Sequence, residues 1–338
     1  TRRVRALARQ QLDYGDARGL PALRRAIADH VSTTRGTRCT ADQVLVVQGA
    51  QQGIDLACHL LLDPGDPAWL EEPAYPGALS ALRRASARIV PVPVDAEGLD
   101  VEAGWRLAPA ARLAYVTPSH QFPLGLTMSL PRRLALLRWA QGAGAWVVED
   151  DYDSEFRHGA QPVPCLHGLD TDGRVVYVGS FSKSLAPALR LGFLVSAADL
   201  VEQARAVRRA ADLHPPLLEQ AALADFMTQG HFERHLRRMR AAYRERLEGL
   251  KDAAHAVGAG ALGLRPIRAG LHCVADLVEA DAVRVASQAA ARGVEVMPLA
   301  AYYADPGAAP QALVLGFAAV RPEDLWDGMR LLVSATRP

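Results

Sequence analysis

The sequence predicts an α/β protein, with a large domain on a mostly parallel seven-stranded sheet and a smaller C-terminal α/β domain. Three observations predict it. Between residues 40 and 195, short β-rich runs alternate with helix-like stretches, as in a parallel sheet covered by helices. Several of these runs are almost wholly apolar, as expected of strands buried on both faces. After residue 196 the alternation stops, and Ala-, Leu-, Arg- and Glu-rich sequence with few breakers runs to about 250 as long helices.

The expected strands are QVLVVQ (43–48), AWLEE (68–72), ARIVPV (87–92), ARLAYVTP (111–118), AWVVED (145–150), RVVYVGS (174–180) and LGFLVS (191–196). Between them, 53–62, 78–85 and 130–141 carry apolar residues at helical spacing. From about 262, LHCVADL, DAVRVASQAAARG, GVEVMPLA, ALVLGFAAV and EDLWDGMRLLVSA make the second α/β unit. The large domain is expected at 12–235 and the small one at 236–338, after a basic N-terminal helical segment at 1–11.

Composition narrows the function. The 338 residues carry a net charge of +1, which gives no electrostatic case for nucleic acid or an anionic membrane as partner. The four cysteines stand apart, with no C-x-x-C pair, so neither a disulfide framework nor a zinc knuckle is implied. That fits a reducing cytoplasm. The chain begins at Thr1 rather than Met, within a helical-looking segment, so sequence upstream is expected.

In open α/β sheets, ligands bind beyond the carboxyl ends of the strands. GAQQG, PAYPG, TPSHQFPLG, EDDYDSEFR and GSFSKS all follow expected strands. Lys183 stands out, because the chain has 36 arginines and only one other lysine, Lys251. Arginine stays cationic, whereas a desolvated lysine can lose its proton and condense with a carbonyl. Ser180, Ser182 and Arg190 suit a phosphate. Gly49-Ala50-Gln51, opening a helix, would aim backbone N–H groups at the same anion, although a plain small-residue turn reads equally well. The acidic run at 149–155 could be a solvated loop. It follows apolar AWVV, however, so at least one acid should lie near a buried strand end and need a cationic partner. A protonated pyridine nitrogen paired with Asp150 would be one, and Tyr152 could donate to a phenolate oxygen on the same ring. Together these groups describe a site for pyridoxal phosphate, the electron sink for amino-acid chemistry.

The chain resembles the fold-type I aminotransferases, and within them the MocR/GabR group of bacterial regulators. The resemblance rests on EEPAYPG (71–77), TPSHQFPLG (117–125), EDDYDSEFR (149–157) and SFSKSLAPALRLGF (180–193), in that order. It implies that Lys183 forms the internal aldimine, a Schiff base with pyridoxal 5'-phosphate. Asp150 would pair with the ring nitrogen and Tyr152 lie near the 3-hydroxyl. Ser180, Ser182, Arg190 and the backbone amides of Ala50 and Gln51 would hold the phosphate, and Tyr75 would stack on the ring. Tyr14 would reach the phosphate of a neighbouring subunit, implying a homodimer with shared sites; a core tyrosine at a helix start is the alternative.

Two positions depart from the aminotransferase pattern. Phe122 stands where those enzymes carry the asparagine of N-P-x-G, as is usual in the regulator group. Val314 stands where amino-acid-binding members carry an arginine for the substrate carboxylate. The resemblance therefore implies the effector and dimerisation domain of a MocR-type regulator, with its winged helix-turn-helix outside this chain. The effector would be a small amine, an amino acid or the cofactor itself. The rival is a free-standing aminotransferase acting on an amino acid or amine. The basic stretch at 237–247 reads as the solvated face of a helix rather than a DNA reader. His231 and His235 fall at i and i+4 but lack an H-E-x-x-H context, so no metal site is expected.

Overall fold

The structure, a computed structural model, describes residues 14–159 and 163–337; the N-terminal helical segment expected at 1–11 lies outside the described residues. The large sheet has eight strands: β1 (Val44–Val47), β2 (Pro67–Glu72), β3 (Arg88–Asp95), β4 (Gly98–Leu99), β5 (Leu113–Val116), β6 (Trp146–Asp151), β7 (Val175–Ser180) and β8 (Gly192–Val195). All seven expected runs are strands. The eighth, β4, pairs back on β3 through Val94↔Leu99 and Asp95↔Gly98. Two residues are too few to show any alternation, so β4 had no signal in the sequence.

The strand order is β1-β8-β7-β6-β5-β2-β3-β4. Strands β7, β6, β5, β2 and β3 pair in parallel, while β8 runs antiparallel to both β7 and β1. The carboxyl ends of β1, β7, β6, β5 and β2 therefore share one edge. At that edge β8 begins rather than ends, so Arg190, just before it, joins the other loops there.

The strands are apolar because both faces are covered. Trp69 of β2 stacks on Trp139 at 3.8 Å beneath the helix Leu130–Ala143. On the other face, the helices Ala50–Leu61 and Pro76–Arg84 bury Ile54, Ala57 and Leu82 against Leu45, Leu70 and Val178.

The small sheet holds β9 (Leu262–Leu264), β10 (His272–Leu277), β11 (Met297–Pro298) and β12 (Ala312–Gly316), in the order β11-β12-β10-β9 and antiparallel throughout. The helix His231–Val257 runs unbroken through position 235/236. Its first turns bury Phe232 and Leu236 with Phe181, just after β7, and Phe193 of β8. Its later turns bury Leu247 and Leu250 with Leu313, Phe317 and Leu325 of the small unit. Among the described residues no helix is long and apolar enough to cross a membrane.

Candidate functional site

The site is the loop edge where the parallel strands end. Gly49 caps the helix Ala50–Leu61 with φ of 86° and without a side-chain bond, leaving the first-turn N–H groups facing the edge. The Arg190 guanidinium lies across this helix start and donates to the Gln48 carbonyl at 2.9 Å. The positive φ at position 49 favours glycine, and a Cβ there would also meet the Arg190 guanidinium at 2.9 Å. Ser180 Oγ accepts from the Ser182 N–H at 3.1 Å, fixing the turn between β7 and Lys183. Lys183, three residues past the end of β7, is exposed rather than desolvated as the sequence reading expected. The strand ends thus bring Ala50, Gln51, Ser180, Ser182 and Arg190 to one edge, as an anion cradle requires.

Asp150, near the end of β6, is buried. Tyr115 donates to its Oδ2 at 2.6 Å, while Oδ1 is buried with no partner. Burial pushes the Asp150 carboxyl up to about 7, with the nearby Asp151 and Asp153 adding to the rise and the Tyr115 hydrogen bond opposing it. A carboxylate with one bare buried oxygen is suited to a cationic N–H.

The remaining acids of this run are not a solvated loop. Glu149 accepts from the Leu166 and His167 backbone N–H groups, both at 2.9 Å. Asp151 takes the Tyr177 hydroxyl at 2.6 Å and the Arg35 guanidinium at 3.0 Å. Glu155 is held down at about 2: burial opposes this, but the hydrogen bond from His30 and the charges of Arg35 and Arg240 prevail.

Aromatic rings wall the outer side. Phe122 lies at their centre, with ring centroids 5.1 Å from Tyr302, 5.3 Å from His272, 5.8 Å from Tyr75 and 6.2 Å from Tyr152. Glu71, buried at the end of β2, ties this wall together. Its Oε2 accepts from Thr117 N–H and O–H, and from the Gln121 amide, which also donates to the carbonyls of Pro73 and Phe122. Tyr75 caps the helix Pro76–Arg84. Gln51 donates to the Gly77 carbonyl at 2.8 Å, and a Cβ on Gly77 would lie 2.1 Å from Gln51 Oε1 and 2.4 Å from Tyr75 Cε1. Val314 on β12 packs in an apolar cluster with Val274, Leu299, Leu124, Tyr302 and Tyr303.

These residues fit pyridoxal 5'-phosphate, the cofactor implied by the sequence motifs. The bare Asp150 oxygen suits a protonated ring nitrogen, the helix start with Arg190 suits the phosphate, and Lys183 follows β7 at the same strand-end edge. Tyr152 donates its hydroxyl to the His120 carbonyl at 2.9 Å. Tyr14 is highly exposed, its ring edge-on to His214 at 5.9 Å.

His231 and His235 point to different partners: the Arg234 guanidinium at 2.6 Å and the Ser184 carbonyl at 2.8 Å. A different group, absent from the sequence reading, brings ligand atoms together. His120, Asp153 and His272 each place one within 4.8 Å of the others. They come from three separate segments, and no spacing in the chain announces them.

Comparison with known proteins identifies the family. The profile of the family "Aminotransferase class I and II" matches residues 2–327. The probable rhizopine catabolism regulatory protein MocR of Rhizobium meliloti is 41% identical over 320 residues, covering 94% of this chain and 64% of that protein. The uncharacterized HTH-type transcriptional regulator YhdI of Bacillus subtilis is 34% identical over 329 residues, covering 96% of this chain and 68% of that protein. The chain thus spans about two thirds of these regulators' length. Among solved structures, the α-aminoadipate aminotransferase LysN of Thermus thermophilus, complexed with N-(5'-phosphopyridoxyl)-L-leucine, superposes with a TM-score of 0.88 at 29% identity, covering 99% of this chain and 86% of that one. With the profile running almost end to end over a chain of this architecture, the chain belongs to the aminotransferase class I and II family.

Proposed function

We propose that this chain is the pyridoxal-phosphate-binding effector and dimerisation domain of a MocR-type transcriptional regulator, the DNA-binding part lying outside it. Pyridoxal 5'-phosphate is the cofactor and Lys183 its point of covalent attachment. When bound, the cofactor supplies an electron sink for a ligand amine. The protein's own groups hold it: Arg190, Ser180, Ser182 and the Ala50 and Gln51 amides on the phosphate, Asp150 on the ring nitrogen, Tyr75 against the ring face and Tyr152 at the ring oxygen. Tyr14 serves the site of a second copy in a homodimer.

The observation that carries the regulatory reading is the apolar wall. Phe122 packs on Tyr302, and Leu124, Tyr302 and Val314 share one apolar cluster. Phe122 and Val314 occupy the two positions where the aminotransferase pattern carries an asparagine and an arginine for a substrate carboxylate. A carboxylate buried against that wall would be desolvated without a partner. This disfavours general transamination and favours a site that senses an amine or the cofactor. The high identity to MocR of Rhizobium meliloti supports the same conclusion.

The second reading, a free-standing aminotransferase acting on an amino acid or amine, is favoured by the complete cofactor cradle and the bare Asp150 oxygen. Steady-state transamination decides between them. Turnover with common amino donors and a 2-oxo acid at about 1 per second or faster would overturn the regulatory reading. Under that reading, turnover stays far slower, while the full-length product binds DNA in a ligand-dependent way.

A further inference from the structure

The phenol of Tyr152 sits in a hydrogen-bonded group that the cofactor reading leaves unexplained. Its oxygen is 2.9 Å from His120 Nδ1 and 2.9 Å from the His120 carbonyl. The same Nδ1 is 2.9 Å from Asp153 Oδ2. The His120 and Asp153 side chains are each 1% exposed, so water does not compete for these bonds. Asp153 Oδ1 has no hydrogen-bond partner among the described residues. Gly270, with φ of 83°, presses on the group: a Cβ there would sit 1.9 Å from His120 Cε1 and 2.7 Å from Asp153 Oδ2. The His120 ring therefore has little freedom to turn.

We infer, resting on the cofactor reading above, that Asp153 and His120 are positioning residues that set the direction in which Tyr152 uses its hydroxyl proton. An ionised carboxylate accepts hydrogen bonds and donates none. Asp153 therefore requires the proton of His120 to sit on Nδ1. An Nδ1 that carries a proton cannot accept one from Tyr152. The phenol oxygen is left as an acceptor toward His120, and its own proton is free for the His120 carbonyl or for a ring oxygen in the site. Were Asp153 replaced by asparagine, its amide could donate to Nδ1. The histidine proton would then move to Nε2, and Nδ1 could capture the phenol proton.

The surroundings keep that proton on the phenol. Burial pushes the Tyr152 hydroxyl well above its ordinary value, and the charges of Asp153, Asp150, Glu71 and Asp151 act in the same direction. His272, on β10 of the small sheet, packs against the His120 ring at 4.8 Å and sends Nε2 to the Pro123 carbonyl at 3.2 Å. It touches the group without bonding to Tyr152.

The test is a pH titration of the visible absorbance of the cofactor-loaded protein, run as a double-mutant cycle. Removing a hydrogen bond to a charged oxygen should move the titration midpoint of the Lys183-linked cofactor by about one pH unit. Tyr152→Phe and Asp153→Asn are each expected to move it in the same direction, and the double variant no further than Tyr152→Phe alone. Should Asp153→Asn fail to fold, His120→Phe leaves no nitrogen to capture the phenol proton, so its midpoint should stay closer to the wild type than that of Tyr152→Phe; a shift as large as that of Tyr152→Phe overturns the inference. An unmoved midpoint in Asp153→Asn, or shifts that simply add in the double variant, overturns the inference. So does a change in the wild-type band on adding Zn²⁺ that Asp153→Asn abolishes, since His120, Asp153 and His272 would then be metal ligands. Absence of any visible band in the wild type overturns the cofactor reading, and this inference with it.

Discussion

Tyr115 donates to Asp150 Oδ2 at 2.6 Å, while Asp150 Oδ1 lies buried without a partner. One oxygen is held by the protein and the other is left for a ligand. Without a cation there, the carboxylate is costly to ionise, and burial pushes it up to about 7 from an ordinary 3.8. The folded protein therefore holds this proton more tightly than the unfolded chain. The contribution is fully present below the unfolded value and is lost as pH rises toward 7. Glu71 and Glu149, each also pushed up to about 7 by burial, act in the same direction. The cofactor-free protein should thus lose stability between about pH 4 and pH 7. Asp150→Asn should remove part of that slope, on the order of a few kcal/mol by pH 8, while weakening cofactor binding. Urea midpoints at several pH values measure the first effect and cofactor titration the second. A slope unchanged in Asp150→Asn would show that Asp150 keeps its ordinary acidity.

Lys183 and Lys251 provide an internal comparison. Lys251 is paired with Glu248 at 3.0 Å on the exposed face of a long helix. Lys183→Ala should abolish the visible absorbance of the cofactor-loaded protein, and Lys251→Ala should leave it intact. Arg190→Ala should loosen the cofactor by about 10- to 100-fold, the range for one charge-assisted phosphate contact. Spectra and cofactor affinity of the three variants decide both points.

Much of this site was legible in the chain because strand ends carry ligands in such sheets. Lys183 was marked by its scarcity, and Asp150 by following an apolar strand. Other features depend on distance in space. The bond between Tyr115 and Asp150 joins adjacent strands whose register no sequence pattern announces. His120 and Asp153 meet only because the loop after β5 lies beside the loop after β6. His272 arrives from the small sheet, through a ladder in which Gly270 N–H donates to the Phe156 carbonyl at 2.7 Å and His158 N–H to that of Arg268 at 2.9 Å. The acids at 149–155 read equally well as a solvated loop, because their partners Arg35, Tyr177 and the 166–167 backbone lie far away in sequence.

Two glycines test how closely the site is packed. Gly77→Ala would force Tyr75 and Gln51 away from the helix start, because the new methyl would lie within 2.4 Å of both side chains. Cofactor affinity should fall while the fold survives. Gly270→Ala combines a left-handed backbone with a collision against buried His120. Its cost should be about 2–4 kcal/mol of stability, read as a lowered urea midpoint. A Gly270→Ala protein as stable as the wild type would mean that the loop carrying residue 270 moves freely relative to His120.

The apolar wall makes the last prediction, and the most direct test of ligand class. Val314 pairs with Val274 and Met297 in the small sheet and packs beside Leu124 and Tyr302. An arginine there would place a guanidinium beside Leu124 and Tyr302. Val314→Arg should lose about 1–3 kcal/mol of stability, because a guanidinium replaces a buried methyl pair. It should also bind an α-amino acid about 10- to 100-fold more tightly than the decarboxylated amine, through a bidentate carboxylate contact. The wild type should show no such preference. Ligand-induced changes in the cofactor's visible absorbance measure both affinities. If the wild type already prefers the amino acid, the carboxylate is recognised elsewhere and the wall does not set ligand class. If the variant gains the preference and the wild type lacks it, then residue 314 separates an amino-acid site from an amine or cofactor sensor.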